Sequence, residues 1–543
     1  MRGVNSGMAT AEREALVLAL LMLAILTGVA IVARPMTPID ETRYVSVAWE
    51  MWLRGDFLVP FKNGAAYSHK PPLMMWLFQL GWAVFGVNEW WPRLVSPLVS
   101  AGNLLLTLGL ARRLWPDRPG LAGTAVLILG SSLLWTVFST SAMFDILLAF
   151  FTLIGMTGIA MASEGRRSGF VLVALAVGLG TLAKGPVILL HVLPVALLAP
   201  WWNPGLRWTR WYGGVLIAVL GGAAIALAWA IPAGMAGGEE YQRAIFWGQT
   251  ANRMVESFAH RRPLWWYVPL LPVLLFPWML WPGLWRGIKT RLREGVGRGC
   301  RFCLAWMIPV FVAFSFISGK QPHYLVPVFP AFALFAARAL DDERRLNGLW
   351  FPTWLIVLMA TGASAVAVLR PELVLRNVGE SLALWPIAVL AVTAAAIYAV
   401  GRRSARPVAW LALLGVAVSG FVQLGVSPSL YPAHDMRPMA NAIRQVQESG
   451  RPVAHLGTYH AQYQFAGRLR APLQEFDEVA DLKNWLAGHA DAAVVIYSKQ
   501  AEALREMRPL AMQRYRDRYV ALVDAASALV SRPGSATMES EKE

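Results

Sequence analysis

Two carboxylates and a guanidinium lie close together just after the first long apolar run of the chain. The segment contains Asp40, Glu41, Arg43 and Tyr44, so one helical turn would hold both acids and the base. A carboxylate in such a place can accept the proton of an attacking hydroxyl, or balance positive charge on a reacting sugar ring. A simpler alternative stays open, in which Asp40 caps a helix and Arg43 is solvated.

A second polar segment places Tyr67, His69 and Lys70 immediately before two prolines. The prolines restrict the backbone and favour the start of a helix, so they would hold Lys70 at a defined place. Such a lysine could bind an anion. The alternative is an ordinary helix start from which Lys70 extends its ammonium into water.

Asp145 is a single carboxylate in the apolar segment STSAMFDILLAFF, with no basic residue nearby in sequence. An unpaired acid facing lipid costs roughly 3 kcal/mol near the bilayer centre. This cost favours a functional role for Asp145 over a structural one.

Several cations and polar rings stand in loops that the charge pattern predicts to lie on the same membrane face as Asp40. They are Lys184, Arg253, His260, Arg261, Arg262, Lys320, His323 and Tyr324. Each alone could be a loop charge, but the positive-inside rule predicts few cations on this face. A shared anionic ligand would explain the exceptions.

Displacement at an anomeric carbon with a phosphate leaving group suits these residues. Negative charge develops on the phosphate as the glycosidic bond breaks, so cations placed there stabilise the transition state. Asp40 is the residue predicted for the carboxylate that accepts this proton or balances the charge on the sugar. A lipid-linked donor would keep its prenyl tail in hydrocarbon and its head group in the polar cavity.

The elements that must position these residues are membrane helices. The chain is 56% hydrophobic and 15% charged, with a mean hydropathy of +0.47, a composition typical of a bilayer protein. Its net charge of +16 falls mainly in short loops between apolar runs, which indicates topology and not a nucleic-acid partner. The two cysteines, Cys300 and Cys303, make neither a zinc site nor a disulfide framework by themselves.

Apolar runs long enough to span a bilayer predict about thirteen helices, with the first retained and not cleaved as a signal peptide. The predicted spans are 15–33, 92–111, 120–138, 143–163, 169–183, 185–201, 211–232, 264–284, 302–317, 323–340, 348–368, 382–400 and 407–427. With the N-terminus in the cytoplasm, the predicted inner loops are all basic, as the positive-inside rule requires.

The predicted fold is an all-α polytopic membrane protein with interfacial helices and a small C-terminal α/β domain. Residues 1–430 would form the membrane domain, including two long outer-face loops at 34–91 and 233–263. The first of these loops contains two tryptophan-rich helical segments that would lie in the interface. Residues 431–533 would form the periplasmic α/β domain, and 534–543 a disordered tail.

These motifs, in this order and on one face, resemble C-type glycosyltransferases of the protein O-mannosyltransferase superfamily. The similarity is strongest to the bacterial branch that contains lipid A aminoarabinose transferase. It runs from about residue 10 to residue 430, and more faintly through the C-terminal domain. Three features carry it: the segment from Asp40 to Tyr44, Lys70 before two prolines with upstream Tyr67, and Asp145. Lys184 before Gly185-Pro186, and the segment from Lys320 to Tyr324, add support.

The resemblance implies thirteen spans, a periplasmic C-terminal domain, an inner-membrane location and inverting transfer from an undecaprenyl-phosphate sugar. It implies that Asp40 is the catalytic or charge-positioning acid and that Asp145 is a second carboxylate in the cavity, and these two are the predicted catalytic residues. The predicted substrate-binding residues are Glu41, Arg43, Tyr44, Tyr67, His69, Lys70, Lys184, Arg253, Arg261, Arg262, Lys320, His323 and Tyr324. The predicted partners are the polyprenyl-phosphate sugar donor, membrane lipids, and a lipid A, glycan or protein acceptor.

This chain departs from the aminoarabinose branch at two places. At the first place, the branch has a Glu-Lys-Pro-Pro motif, whereas this chain has His69 before Lys-Pro-Pro. At the second, the second long outer loop of the branch is rich in histidine, whereas this chain has GQTANRMVESFAHRR. A divalent metal therefore has no support from the sequence, and the sugar and acceptor stay open.

A transporter or flippase of lipid-linked saccharides is the alternative function. Such a protein would distribute polar residues through its spans and often contain an inverted repeat. Here the central spans are almost purely apolar and the charges gather at one face, which favours the transferase.

Overall fold

The computed structural model describes residues 2–247, 262–341, 348–370, 384–426 and 431–530. The predicted site residues Arg253 and Arg261, as well as His260 and the predicted tail 534–543, lie outside these ranges.

The chain divides into two compact units. The helical unit comprises Met1–Val32, His69–Met74 and Glu89–Val426. The mixed unit comprises Ala33–Ser68, Met75–Asn88 and Ser427–Glu543. Most of the predicted outer-face segment 34–91 therefore folds with the C-terminal residues.

The first half of the chain is almost entirely helical apart from one short hairpin. Its helices are α1 Arg2–Ala33, α2 Asp40–Arg54, α3 Leu73–Phe85, α4 Trp90–Leu114, α5 Leu121–Ser131, α6 Leu133–Ser139, α7 Phe144–Ser163, α8 Ser168–Lys184, α9 Val187–Leu197, α10 Ala199–Trp202, α11 Trp208–Ala236 and α12 Gly238–Arg243. The hairpin pairs β1 (Phe61–Lys62) with β2 (Ala65–Ala66). Helices α2 and α3 match the two helical segments predicted between 34 and 91.

Between residue 262 and the C-terminal region, the described residues form seven further α-helices: α13 Leu271–Leu274, α14 Pro282–Glu294, α15 Arg298–Phe316, α16 Phe329–Asp341, α17 Trp350–Leu369, α18 Leu384–Gly401 and α19 Pro407–Phe421. Short 3-10 helices cover Val268–Leu270, Trp278–Leu280, Pro322–Val328 and Tyr431–Ala433, and a π-helix covers Val422–Val426.

Within the described ranges, eight helices are long and apolar enough to cross a membrane, or nine if a bent pair counts as one span. The bent pair is α5 and α6, which meet at 69°. The amide of Leu133 at this bend donates to the carbonyl of Phe276 at 3.0 Å. The freed backbone group is thereby satisfied inside the protein, as hydrocarbon requires.

The continuous helix predicted over 264–284 is not formed. The segment consists of short helical pieces instead. Prolines explain the difference, because Pro269, Pro272 and Pro277 each lack the amide hydrogen that a continuous helix needs.

Helices α7 and α8 form a closely packed hairpin. A Cβ added to Gly169 would lie 2.4 Å from the backbone nitrogen of Ala162, and one added to Gly158 would lie 2.6 Å from the carbonyl oxygen of Gly169. Small residues thus allow the two backbones to approach, as is common between membrane helices.

The C-terminal region is a small α/β fold, as the sequence predicts. Its strands are β3 Val453–Leu456, β4 Gln474–Phe476, β5 Ala493–Ser498, β6 Ala511–Tyr515 and β7 Arg518–Asp524, in the order β4-β3-β5-β7-β6. Strand β3 is parallel to β4 and β5, whereas β7 is antiparallel to β5 and β6. Its helices are α20 Arg437–Glu448, α21 Gln464–Gly467, α22 Val479–Ala487, α23 Ala501–Glu506 and α24 Ala525–Val530.

The central strand β5 is buried throughout. Alternate residues contribute to different apolar clusters: Val495 and Tyr497 to one, Val494 and Ile496 to the other. This alternation follows from the two-residue period of a strand, and both faces of the sheet are covered.

Candidate active site

A buried ion pair in the helical unit joins Asp145 to Lys184. Asp145 is the second residue of α7, and Lys184 is the last residue of α8. The Lys184 ammonium lies 2.5 Å from a carboxylate oxygen of Asp145, and the side chains of Lys184 and Asp145 are only 12% and 2% exposed. The acid lies at a helix N-terminus and the base at a helix C-terminus, positions that favour both charges. The acid that has no basic neighbour in sequence is thus paired with a lysine 39 residues later.

A chain of aromatic contacts begins at the lysine end of this pair. The Lys184 nitrogen lies 5.2 Å from the centroid of the Tyr324 ring, within range of a cation–π contact. The Tyr324 and His323 rings meet edge to face at 4.9 Å, and Phe138 lies 5.5 Å from His323. The structure therefore brings Asp145, Lys184, His323 and Tyr324 together.

Lys320 joins the loop before this aromatic group to the segment that begins at Arg262. Its ammonium, on a residue only 3% exposed, donates to the carbonyls of Ile317 at 2.6 Å and Arg262 at 3.0 Å. The amide of Arg262 in turn donates to the carbonyl of Ser318. Arg262 itself is exposed, and its guanidinium lies 5.8 Å from the Trp266 ring centroid. These contacts fix the loop beside Tyr324.

The second cluster of predicted residues lies at the start of α2 in the mixed unit. One carboxylate oxygen of Asp40 accepts hydrogen bonds from Arg43 and from the Tyr44 hydroxyl. The N-cap position falls at Ile39 and makes no side-chain cap bond, so Asp40 does not cap the helix. Its side chain is 42% exposed.

Arg43 keeps its positive charge in this cluster. Burial opposes the charged form, but the hydroxyls of Tyr67 and Tyr44 and the Asp40 carboxylate raise the pKa of Arg43 above its ordinary value. The guanidinium also lies 5.5 Å from the Tyr44 ring centroid. The start of α2 therefore combines a held acid, a permanent cation and two buried tyrosines.

Glu41 has different surroundings from Asp40. Arg34 donates two hydrogen bonds to its carboxylate, at 2.5 and 3.1 Å, and Thr37 donates its amide at 2.9 Å and its hydroxyl at 2.6 Å. Burial disfavours the charge, but Arg34 and Thr37 outweigh it and lower the pKa of Glu41 to about 2. Glu41 thus ties the segment before α2 to the helix.

His69 and Lys70 lie in a bend just before α3, where His69 is exposed and Lys70 is half-buried. Helix α3 begins at Leu73, directly after the two prolines, as the sequence predicts. Both residues belong to the helical unit.

Sequence reasoning missed one ionisable residue beside the Asp145–Lys184 pair. His191 lies in the apolar segment VILLHVLPVALL of α9 and is fully buried. It interacts electrostatically with both members of the pair. A histidine inside an apolar run is the signal that could have identified it.

No group of three or more His, Cys, Asp or Glu residues is arranged to hold a metal ion within the described ranges.

The sequence is similar to those of known membrane transferases. Residues 69–233 match the family model described as dolichyl-phosphate-mannose-protein mannosyltransferase. An undecaprenyl phosphate-alpha-4-amino-4-deoxy-L-arabinose arabinosyl transferase of Edwardsiella ictaluri is 33% identical over 61% of this chain and 61% of its own length. A transferase of the same name from Pseudomonas aeruginosa is 34% identical over 57% of this chain and 56% of its own length. The match thus spans about three fifths of the length of these curated relatives.

The fold is similar to that of a solved structure. The crystal structure of ArnT from Cupriavidus metallidurans bound to undecaprenyl phosphate aligns with a TM-score of 0.72 at 22% sequence identity. The alignment covers 95% of this chain and 99% of that chain. The apo structure of the same protein gives a TM-score of 0.72 at 20% identity. Together, these matches confirm that the chain resembles glycosyltransferases of the protein O-mannosyltransferase superfamily, in the branch of the aminoarabinose transferases.

Proposed function

We propose that this protein is an inverting membrane glycosyltransferase that uses an undecaprenyl-phosphate sugar as its donor. In this reaction, an acceptor hydroxyl attacks the anomeric carbon, the bond from that carbon to the phosphate oxygen breaks, and undecaprenyl phosphate leaves. The acceptor is a lipid A, glycan or protein group at the periplasmic face. The transferase names of the matched relatives favour this function over transport of a lipid-linked saccharide.

The buried Asp145–Lys184 pair beside Tyr324 is the observation that supports this proposal most strongly. A buried ion pair seldom adds net stability, because its members lose hydration that their attraction barely repays. Such a pair is better explained by a ligand. We propose that Lys184 contacts the donor phosphate, while Asp145 holds the ammonium in place and balances its charge before the donor arrives.

We propose that Asp40 accepts the proton of the acceptor hydroxyl. Its partial exposure and the hydrogen bonds from Arg43 and Tyr44 support this role, because these bonds orient the carboxylate. Arg43, Tyr44 and Tyr67 would then support Asp40 or contact the phosphate. The prediction that Asp40, Lys70, Asp145 and Lys320 meet around one head group stays a prediction.

The remaining predicted residues receive secondary roles in this proposal. Lys70, His69 and Arg262 would contact the donor head group, as would Arg253 and Arg261 in the second outer loop. Lys320 and Glu41 would have a structural role, since the side chains of both form hydrogen bonds that hold neighbouring segments in place. His323 would orient Tyr324 through their edge-to-face contact.

We also propose about thirteen spans in the bacterial inner membrane, with residues 431–533 and the reacting residues on the periplasmic side. The basic character of the predicted inner loops supports this topology. Labelling of single cysteines placed at exposed positions in the C-terminal domain, with a membrane-impermeant reagent in intact spheroplasts, tests it.

Incubation of the purified protein with a set of undecaprenyl-phosphate sugars and envelope extract tests the activity. Undecaprenyl phosphate-4-amino-4-deoxy-L-arabinose is the first donor to try, because the matched relatives carry its name. We expect a product heavier than one acceptor by a single sugar residue, detected by mass spectrometry. Consumption of the donor without a modified acceptor would contradict the proposal. Transport of intact donor across the membrane of vesicles that contain the purified protein would also contradict it.

A further inference from the structure

His191 is a buried polar side chain that the proposed function does not use. It lies one turn into α9, seven positions after Lys184 and beyond the turn at Gly185. His191 is 0% exposed. Neither ring nitrogen has a hydrogen-bond partner among the residues that the structure describes.

The contacts of His191 connect it to the Asp145–Lys184 pair. The imidazole packs against Phe314 with the ring centroids 5.8 Å apart, and Phe314 packs against Tyr324 at 5.6 Å. Tyr324 is the ring that Lys184 faces. His191 also interacts electrostatically with both charges of the pair.

Close packing fixes the position of α9 relative to the end of α8. A Cβ on Gly180 would lie 2.6 Å from the Cγ1 of Ile188, so the two helices meet one turn before Lys184 and one turn before His191. This packing leaves the imidazole little freedom to move away and find a partner elsewhere.

A buried imidazole without a protein partner is costly, and buried polar groups of this kind are generally satisfied by ordered water. A phenylalanine ring would occupy a similar volume without burying two unsatisfied nitrogens. The histidine therefore needs an explanation beyond packing.

We propose that His191 is a positioning residue for the Asp145–Lys184 pair, acting through a water held between the imidazole and the pair. The Lys184 ammonium has three N–H groups, of which Asp145 accepts one, so it can donate to such a water. The water and imidazole then hold the ammonium toward the donor phosphate. This inference rests on the proposed function, because Lys184 acts on the phosphate.

Two substitutions separate a polar role from a packing role. His191→Phe keeps a planar ring and removes both nitrogens, whereas His191→Gln keeps a hydrogen-bonding group. Thr157→Val is the matched control: Thr157 lies on α7, roughly 18 Å along the helix from Asp145, and its hydroxyl also has no partner among the described residues.

Binding of undecaprenyl phosphate to each purified full-length variant is measured by titration with detection of the thermal unfolding midpoint. We expect His191→Phe to weaken binding about tenfold while keeping or raising the midpoint without ligand. We expect His191→Gln to bind within about threefold of the parent protein. Thr157→Val should change only the midpoint.

The outcomes distinguish this inference from the proposed function. If the parent protein binds undecaprenyl phosphate and His191→Phe binds it equally well, the positioning role is wrong and the proposed function stands. Equal weakening by Phe and Gln would show a packing role and also overturn the inference. If the parent protein does not bind undecaprenyl phosphate, the proposed function fails, and the inference fails with it.

Discussion

A carboxylate or an ammonium removed from water is costly unless another group replaces its hydration. The three acids of the two clusters differ in the groups that replace their hydration. Glu41 is fully enclosed by Arg34 and Thr37, Asp145 is paired with one lysine, and Asp40 stays partly exposed. The degree of enclosure separates an acid that holds structure from one that can react.

Removal of one member of the Asp145–Lys184 pair should cost far more than removal of both. Lys184→Met leaves a buried carboxylate without compensation, and we expect it to destabilise the protein by about 3–5 kcal/mol. The double variant Asp145→Asn with Lys184→Met should recover most of this loss, as measured by thermal unfolding.

Transfer activity should not recover with stability. We expect both variants to lose at least about a hundredfold in transfer, because the phosphate loses its cation. Activity near the parent level in the stable double variant would exclude the pair from the reaction.

The lowered pKa of Glu41 predicts that acid destabilises the start of α2. Its pKa falls from 4.5 to about 2 on folding, so its charged form stabilises the folded state above pH 4.5. The contribution is on the order of 3 kcal/mol and is lost as the pH falls from 4.5 towards 2.

Amide hydrogen exchange of α2 between pH 6 and 2.5, corrected for the intrinsic pH dependence, measures this effect. We expect protection to fall with pH in the parent protein and to change much less in Glu41→Gln. An equal pH response in both proteins would assign the acid sensitivity to other groups.

At the scale of elements, helix ends and close helix contacts position the charges. The α7–α8 hairpin brings the first turn of one helix beside the last turn of the other, so residues 39 positions apart in sequence form one pair. The sequence predicted these helices from their apolar runs. It could not predict the pairing, because an apolar pattern indicates the presence of a helix but not which helix lies beside it.

Two further differences between prediction and structure arise because hydropathy is averaged over a whole segment. The segment 264–284 has the hydropathy of a span, yet its prolines divide it into short pieces. Strands β6 and β7 were not predicted, because the polar run from Arg516 to Arg518 interrupts the alternation of apolar residues in the hairpin segment AMQRYRDRYVALVD. In both cases, the local chemistry of a few residues overrides the average of the segment.

The α7–α8 contact gives a prediction about helix packing. Gly169→Ala would place a Cβ 2.4 Å from the backbone of α7, where no side chain can move aside. We expect a loss of about 1–3 kcal/mol in the free energy of unfolding. Gly213→Ala in α11 is the control, since nothing lies within 4 Å of its Cβ and alanine favours a helix. A thermal midpoint for Gly169→Ala as high as that for Gly213→Ala would contradict the packing argument.

At the scale of the whole molecule, the mixed unit is assembled from distant parts of the sequence. Helix α2, which carries Asp40, packs on the C-terminal α/β fold: the Ser46 hydroxyl donates to the carbonyl of Ala461 at 2.7 Å and accepts the amide of Phe465 at 3.0 Å. Trp82 of α3 stacks on Phe465 with the ring centroids 5.3 Å apart. The C-terminal fold therefore holds the helix that presents the proposed proton acceptor, a relation that no local sequence pattern indicates.

Transfer by Asp40→Asn tests the central claim most directly. Asparagine keeps the oxygen to which Arg43 and Tyr44 donate but is far too weak a base to accept a proton, so α2 should stay folded. Purified parent and variant proteins are incubated with the donor and acceptor that give product in the parent, and the product is quantified by mass spectrometry. We predict a loss of at least about a thousandfold, with unchanged binding of undecaprenyl phosphate. Product formation by Asp40→Asn near the parent rate would contradict the account.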